Sequence, residues 1–270
     1  MNKNQLENLC QQSCVLVEQV AQFIQAELGK VQTDAIETKS LNSLVSYVDK
    51  QAEQRLVSGL AELLPGAAFL TEEQTVTQGD GEWRWIIDPL DGTTNFLHQL
   101  PFFSISVALQ HQGQTVIGIV YEVNRKEGFY AWKEGGAWLN GRRIAVSSNT
   151  RMADALIATG FPYYDYSKTQ AYFQALEQFM HNSRGIRRLG SAALDLAYVA
   201  CGRFDAYFEY SLSAWDIAGG AFLVQEAGGK VCDMSGRDQY LDNGEIIAVA
   251  GGLSAAFIPI VNKAFYPEPV

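Results

Sequence analysis

The period of the hydrophobic pattern changes along this chain from helical to extended. Apolar side chains recur at helical spacing over residues 5 to 28, and again from just after Asp49 to the stop at Gly66. The polar segment between them, residues 30 to 43, predicts a loop. From residues 67 to 133 the apolar runs are short and extended, which predicts strands joined by hairpins. We therefore expect two helices followed by a mostly antiparallel sheet.

The second half of the sequence alternates between strand-like and helix-like runs. This alternation is typical of an α/β architecture with crossover connections. Neither an internal repeat nor a low-complexity linker divides the chain, so we expect one layered domain over residues 1–270, built from helices and two sheets. The expected strands are "ALIATG", "GIRRLG", "FDAYFEY" and "EIIAVAGG", and the expected helices are residues 168 to 181, "SAALDLAYVACG", "AWDIAGGAFLVQEAGG" and residues 253 to 264.

Composition excludes several classes of protein. The chain has 270 residues and 47% apolar content, enough to bury a sizeable core. A net charge of -10 argues against a broad nucleic-acid or anionic-membrane surface. The start, "MNKNQLENLCQQ", lacks the apolar segment of a signal peptide, so we expect a cytoplasmic protein without membrane or nucleic-acid partners. The cysteines form no zinc or redox motif, and we expect all four to be structural thiols: Cys10, Cys14, Cys201 and Cys232.

The stretch "WRWIIDPLDGTT" ends an apolar strand with two carboxylates. Asp88 and Asp91 are three residues apart across a proline turn, so both could point at one small volume together with the Leu90 carbonyl. Such oxygen donors suit a hard cation such as Mg²⁺. Residues 92–95 should open a helical turn whose N–H groups attract phosphate. A simple capped turn is the alternative, but the apolar strand makes uncompensated charge costly and favours a metal site.

Two further acidic elements lie at the ends of predicted elements. Glu72 and Glu73 follow the strand-like run "AAFLT", and Asp216 begins a helix. Taken singly, a solvated loop and a helix N-cap explain them. Together with Asp88 and Asp91 they form acidic groups at three separate places in the chain. Sites of layered α/β proteins are often assembled in this way.

Two long motifs resemble the signatures of a known family. "WIIDPLDGTTNF" resembles the first signature of the inositol monophosphatase family, and "WDIAGGAFLVQEAGG" resembles its second. "TEE" at 71–73, "LVSYVD" at 44–49 and "GSAALDLAYVACGRFDAYFE" at 190–209 resemble other family segments, in the same order. The resemblance implies the layered αβαβα sandwich shared with fructose-1,6-bisphosphatase, in a protein that is usually a homodimer.

The resemblance also implies a set of Mg²⁺ ligands. Asp88 would bridge two ions. Glu72 and the Leu90 carbonyl would complete the first metal site, with Glu72 also near a third, weaker ion. Asp91 and Asp216 would complete the second metal site.

Catalytic and substrate-binding roles follow from the same resemblance. Thr93 would orient the attacking water with Asp49 behind it, and Glu209 would hydrogen-bond ring hydroxyls. Ser191 replaces a threonine that is common in relatives, and Arg188 lies nearby. The residues implied to contact the substrate are Asp91, Gly92, Thr93, Gly190, Ser191, Ala192, Glu209 and Asp216.

The activity implied is Mg²⁺-dependent hydrolysis of inositol monophosphate to myo-inositol and phosphate by a metal-activated water. A 3'(2'),5'-bisphosphate nucleotidase, a fructose-1,6-bisphosphatase and a histidinol-phosphatase are alternatives on the same scaffold. The segment "DGTTNF" favours the inositol branch. A non-catalytic role, in binding phosphometabolites or a protein partner, would be indicated by a missing metal carboxylate, and all of them are present.

Overall fold

The computed structural model describes residues 1–32, 37–40, 43–162 and 165–267. The helices of this part are α1 Lys3–Glu27, α2 Tyr47–Leu63, α3 Thr93–Leu97, α4 Thr169–Asn182, α5 Ala192–Ala200, α6 Ala214–Glu226, α7 Tyr240–Asn243 and α8 Ser254–Phe265. Its strands are β1 Glu37–Ser40, β2 Ser43–Val45, β3 Ala68–Thr71, β4 Trp83–Asp91, β5 Ser104–His111, β6 Gln114–Glu122, β7 Glu127–Trp132, β8 Gly136–Leu139, β9 Arg142–Ile144, β10 Leu156–Thr159, β11 Gly185–Arg187, β12 Ala206–Tyr210, β13 Lys230–Cys232 and β14 Glu245–Val249.

Two large sheets carry the fold. The first contains β3 to β9 in sequence order, and every neighbouring pair is antiparallel except β3 and β4. The second has the order β11-β10-β12-β14-β13, in which β10 runs parallel to both of its neighbours. The predictions of a mostly antiparallel first sheet and of crossovers in the second half are confirmed.

The helices and sheets alternate in five layers. Helices α1 and α2 share a hydrophobic core with the seven-stranded sheet. Helices α5 and α6 form the central layer, whose core includes side chains from both sheets. Helices α4 and α8 share a core with the five-stranded sheet. The predicted αβαβα sandwich is thereby confirmed, while a single domain over residues 1–270 stays a prediction.

The start of α2 differs from the sequence prediction. We expected this helix to begin just after Asp49, but it begins at Tyr47, with Ser46 as the N-cap. The Asp49 carboxylate accepts hydrogen bonds from the Ser46 N–H, at 2.9 Å, and the Ser46 hydroxyl, at 2.7 Å. The Ser46 hydroxyl oxygen accepts one from the Val48 N–H at 3.1 Å. This reciprocal capping box satisfies free N–H groups and starts the helix one turn earlier.

Other short elements were not predicted. The expected loop over residues 30 to 43 contains part of an antiparallel hairpin, because β1 pairs with β2; residues 33–36 and 41–42 lie outside the described residues. The glycine-rich turn region "KEGGAWLNGRRI" forms β8 and β9. All four cysteines are free thiols, as expected. In the described ranges, no helix has the length and apolar content needed to cross a bilayer.

A glycine contact brings the central helix layer close to the first sheet. A Cβ atom built on Gly118 in β6 would lie 2.5 Å from the Gly219 carbonyl oxygen of α6. The Gly118 backbone does not have the positive φ that favours glycine, so space alone requires this residue. The close approach fixes the distance of α6, and with it Asp216, from the sheet.

Gly118→Ala should reduce the free energy of unfolding by about 1–3 kcal/mol, because the added methyl group must push two backbones apart. Urea denaturation measures the change. Gly251→Ala is the matched control, since a Cβ there would meet nothing closer than an ordinary contact at 3.7 Å. Equal stability of the two variants would contradict this account of the packing.

Candidate active site

A β-bulge places Asp88 and Asp91 on the same side of β4. Asp88 pairs with Ser106 and Asp91 with Ser104, so three steps along β4 correspond to two along β5. In a regular strand, residues three apart point to opposite faces, and one extra residue restores the same face. The carboxylates were expected on a turn after the strand, but β4 continues through both. Pro89 is tolerated because a bulge leaves its missing N–H without consequence.

Glu72 joins these carboxylates through the parallel pairing of β3 and β4. Thr71 pairs with Ile87, and the Glu72 N–H donates to the Ile87 carbonyl at 3.2 Å, so Glu72 lies beside Asp88. The buried Glu53 of α2 holds residues 71 to 75 in place. The Glu53 carboxylate accepts hydrogen bonds from the Thr71 hydroxyl at 2.9 Å, the Glu73 N–H at 2.7 Å and the Thr75 N–H at 2.7 Å. Glu53 therefore determines the path of the chain around Glu72.

Asp216 is contributed by the first turn of α6. Ser213 is the N-cap of this helix, and its N–H donates to Asp216 Oδ2 at 2.7 Å. The Ser106 hydroxyl of β5 donates to the Trp215 carbonyl at 3.1 Å, which ties the helix start to the sheet. Asp216 is thus the third residue of α6. Its second carboxylate oxygen remains available to the space that the other acidic side chains face.

Burial and neighbouring negative charge raise the pKa values of Asp88, Asp91 and Asp216. Burial, followed by the charges of Glu72, Asp91 and Asp216, raises the pKa of Asp88 well above its ordinary value. Burial raises the pKa of Asp91 to about 6. Burial, with the charges of Asp91 and Glu72, also raises the pKa of Asp216 well above its ordinary value. Among the ion pairs of the described residues, none involves Asp88, Asp91 or Asp216.

These acidic groups line one side of a cavity of about 130 Å³, and residues from the second half of the chain line the other side. Asp91 Oδ2 accepts hydrogen bonds from the Ser191 hydroxyl at 2.6 Å and the Ala193 N–H at 2.8 Å, at the start of α5. Asn95 donates to the Leu189 carbonyl at 2.9 Å. The residues that line the cavity are Glu72, Asp88, Leu90, Asp91, Gly92, Thr93, Thr94, Asn95, Gly160, Arg188, Gly190, Ser191, Ala192, Glu209, Ser211, Leu212 and Asp216.

Thr93 connects the cavity with Asp49. Its hydroxyl lies 2.9 Å from Asp49 Oδ1 and 3.1 Å from the Leu90 carbonyl oxygen, and it can donate its proton to either. Asp49 is buried, and burial raises its pKa above the ordinary value. With the hydroxyl proton directed at Asp49 or Leu90, the lone pairs of Thr93 can accept a hydrogen bond from a molecule in the cavity.

The oxygen donors around the cavity have the chemistry of a divalent-cation site. The ligands available are carboxylate and carbonyl oxygens, the set that Mg²⁺ prefers, and the repulsion among the carboxylates is of the kind that a cation relieves. Leu90 supplies a carbonyl next to Asp88, whose Oδ1 accepts the Leu90 N–H at 2.9 Å. In the described part of the chain, no group of three or more histidine, cysteine, aspartate or glutamate side chains is arranged so that it could hold a metal ion as it stands. The chemistry of the donors fits a hard cation.

The sequence-predicted site residues come together in the structure with one exception. The predicted metal and substrate residues all line the cavity, whereas Asp49 lies behind it and contacts it through Thr93. Sequence reasoning missed Glu53, Asn95 and Gly160. Glu53 lies one helical turn after Asp49, a spacing that places both on one face of α2 and could have indicated a shared role. Asn95 stands inside the quoted motif, but its reach to residue 189 depends on tertiary structure.

The fold and the cavity together define a layered α/β protein with an oxygen-lined, acidic site. The family model described as "Inositol monophosphatase family" matches residues 5–265. An inositol-1-monophosphatase of Mesorhizobium japonicum is 42% identical over 238 residues, which cover 88% of this chain and 90% of that protein. A Nus factor SuhB of Pseudomonas aeruginosa is 41% identical over 232 residues, covering 84% and 86%.

The solved structures agree with these matches. The extragenic suppressor protein SuhB of Bartonella henselae has a TM-score of 0.87 and 37% identity, covering 97% of this chain and 99% of that one. The chain therefore belongs to the inositol monophosphatase family. Membership of this family implies a metal-dependent phosphatase.

Glu53→Gln should reduce the free energy of unfolding by roughly 1–3 kcal/mol, because an amide NH₂ would replace an oxygen that accepts hydrogen bonds from the Glu72 segment. Urea denaturation measures the change. Glu62→Gln, at an exposed position of the same helix, is the control and should stay within about 0.5 kcal/mol of wild type. A loss no larger than that of the control would argue against Glu53 as the support of this segment.

The stability of the metal-free protein should depend on pH in a defined direction. The raised pKa values of Asp91, about 6, and Glu209, about 7, mean that the folded state binds more protons than the unfolded chain. Their contribution therefore becomes increasingly unfavourable as the pH rises from about 4 to about 7.

Asp88→Asn isolates this effect, because it removes one charge from the cluster. With a chelator present near pH 8, the variant should melt at a higher temperature than wild type. This difference in melting temperature should shrink as the pH falls towards about 4. Differential scanning calorimetry measures both proteins. A variant less stable than wild type near pH 8 would contradict the expected repulsion.

Proposed function

We propose that this protein hydrolyses inositol monophosphate to myo-inositol and phosphate in a Mg²⁺-dependent reaction. The observation that carries the proposal is the convergence of Glu72, Asp88, Asp91 and Asp216 on one cavity, in a chain of the inositol monophosphatase family. Such an oxygen donor set has the chemistry for a hard cation, and the opposite wall offers hydrogen-bonding groups to an alcohol.

We assign the Mg²⁺ ligands among the residues that line the cavity. Glu72, Asp88 and the Leu90 carbonyl would hold one Mg²⁺, and Asp88, Asp91 and Asp216 a second. When bound, Mg²⁺ supplies Lewis-acid activation of water and neutralises charge on phosphoryl oxygens. The Ser191 and Ala193 donors at Asp91 Oδ2 hold that carboxylate in position, so that its other oxygen can act as a ligand.

Thr93 and Asp49 would orient the attacking water. The Thr93 hydroxyl can donate to Asp49 Oδ1 and accept a hydrogen bond from the water at the same time. Asp49 is fixed by two donors from Ser46, so its orientation does not depend on Thr93. A raised pKa suits Asp49 to take up a proton passed through the Thr93 hydroxyl.

The phosphate and the alcohol would occupy opposite ends of the cavity. Gly92 is the N-cap of α3 and Thr93 is its first residue, so their N–H groups have no intrahelical partner and could bind phosphoryl oxygens. Gly92 has a left-handed backbone with a φ of +95°, and a Cβ there would lie 3.0 Å from the Phe102 carbonyl oxygen, so both conformation and space explain the glycine. The residues facing the alcohol would be Gly190, Ser191, Ala192 and Glu209.

A second candidate function is supported by the relatives. Two proteins of nearly equal identity to this chain, 42% and 41%, are named inositol-1-monophosphatase and Nus factor SuhB. We therefore carry a Nus factor role, acting through a protein partner, as the alternative to a purely metabolic one. The complete set of carboxylates favours catalysis as at least one role of this chain.

A homodimer is part of the proposal. Several large apolar side chains are exposed, and two of them, Phe161 and Phe173, both contact the ring of Tyr172. Exposed apolar groups of this kind are typical of protein interfaces. The exposed side chains that support the dimer are Leu100, Phe161, Tyr166, Phe173 and Met180. A cytoplasmic location and the absence of nucleic-acid partners stay predictions.

Phosphate release tests the proposed activity. With Mg²⁺ present, wild type should release phosphate rapidly from inositol 1-phosphate and much more slowly from adenosine 3',5'-bisphosphate, fructose 1,6-bisphosphate and histidinol phosphate. Asp88→Asn should lower the Mg²⁺-dependent rate by more than about 100-fold, beyond the range typical of residues that only orient a ligand.

The outcomes separate the candidates. Release mainly from another ester would keep the metal site and change the substrate. Near-normal Mg²⁺-dependent rates in Asp88→Asn would falsify the ligand assignment. A folded wild-type protein that releases phosphate from none of these esters would favour the Nus factor role.

A further inference from the structure

Glu209 is packed against a glycine that directly follows the neighbouring strand. Strands β10 and β12 are parallel, with Thr159 opposite Phe208, so the next residues, Gly160 and Glu209, lie side by side. A Cβ atom on Gly160 would lie 1.9 Å from Glu209 Oε2 and 2.0 Å from Oε1. The backbone of Gly160 does not have the positive φ that would itself demand glycine. A side chain at this position would therefore have to displace the Glu209 carboxylate.

A buried tyrosine holds the same carboxylate from its own strand. The Tyr207 hydroxyl donates to Glu209 Oε2, and the two residues lie on one face of β12 because they are two positions apart. Tyr207 is fully buried, and burial followed by the charge of Glu209 raises its pKa well above the ordinary value. The hydroxyl therefore keeps its proton and remains a donor. One carboxylate oxygen is engaged in this bond, which leaves Oε1 as an acceptor.

The charges around Glu209 would move it if this support were lost. Arg188 lines the same cavity, and its positive charge acts on Glu209. The negative charge of Asp91 acts on Glu209 in the opposite sense. Tyr207 holds the carboxylate against displacement by these charges.

We propose that Tyr207 and Gly160 are positioning residues that fix the Glu209 carboxylate as an acceptor for hydroxyl groups of the substrate's alcohol. In this way they set the preference of the cavity for phosphate esters of polyols over esters without hydroxyl groups. The inference rests on the proposed phosphatase activity and extends it to two residues that do not contact the reacting atoms.

Tyr207→Phe is the first test, with inositol 1-phosphate and 4-nitrophenyl phosphate as the two substrates. Loss of a hydrogen bond to a charged group should raise KM for the inositol ester about tenfold. KM for the nitrophenyl ester and both kcat values should change less than about twofold. Tyr198→Phe is the matched control, because its hydroxyl also donates to a buried carboxylate, Glu122 at 2.7 Å, away from the cavity.

Gly160→Ala is the second test. The added methyl group must displace the Glu209 carboxylate, so the same selective rise in KM for the inositol ester is expected. Gly79→Ala is its control, since a Cβ there would meet nothing closer than 3.8 Å. Equal losses on both esters, or no change in either variant, would overturn the positioning role.

A crystal structure of Tyr207→Phe separates this inference from the proposed function. The carboxylate of Glu209 should move towards Arg188 whether or not the enzyme hydrolyses the inositol ester. A carboxylate that keeps its place in the variant would overturn the inference even in a fully active enzyme. A wild-type enzyme without preference for the inositol ester would count against the proposed substrate, and the position of Glu209 would still decide the role of Tyr207.

Discussion

Repulsion among buried carboxylates is the constraint on which the rest of this structure depends. Asp88, Asp91 and Asp216 face one cavity with Glu72, and described basic side chains do not pair with the first three. A chain can keep such a cluster only if rigid elements hold each member. The bulge of β4, the parallel pairing with β3 and the first turn of α6 meet this requirement, each with its own hydrogen bonds.

The supports of the site are built from ordinary devices of protein structure. Asp49 completes a helix capping box and also accepts the Thr93 hydroxyl, so one carboxylate starts α2 and reaches the cavity. Glu53, one turn later, ties down the segment that carries Glu72. Both residues belong to a helix that packs on the sheet through its apolar face. The stability of this helix and the geometry of the site are therefore linked.

The order of helices and strands could be predicted from local patterns, whereas the αβαβα layering and the substrate-side residues were predicted through the resemblance to one family. The spacing of apolar residues distinguished helices from strands, and the long motifs indicated Asp88, Asp91 and Asp216 as site residues. The predicted start of α2, just after Asp49, was wrong because the Ser46–Asp49 capping box begins the helix at Tyr47. The bulge could not be predicted, since Asp-Pro-Leu-Asp suits a turn as well as a strand. The roles of Gly160 and Tyr207 could not be predicted either, because they depend on which strand lies beside β12.

Hydrogen bonds at the cavity itself join the two halves of the chain. Ser191 and Ala193 bind Asp91, and Asn95 binds Leu189, so residues of β4 and α3 are fastened to the segment that opens α5. Separating the halves would break these bonds at the site itself. Opening the cavity by moving one sheet away from the other would therefore cost the hydrogen bonds that hold Asp91 and Asn95, whereas motion of side chains at the entrance would leave them intact.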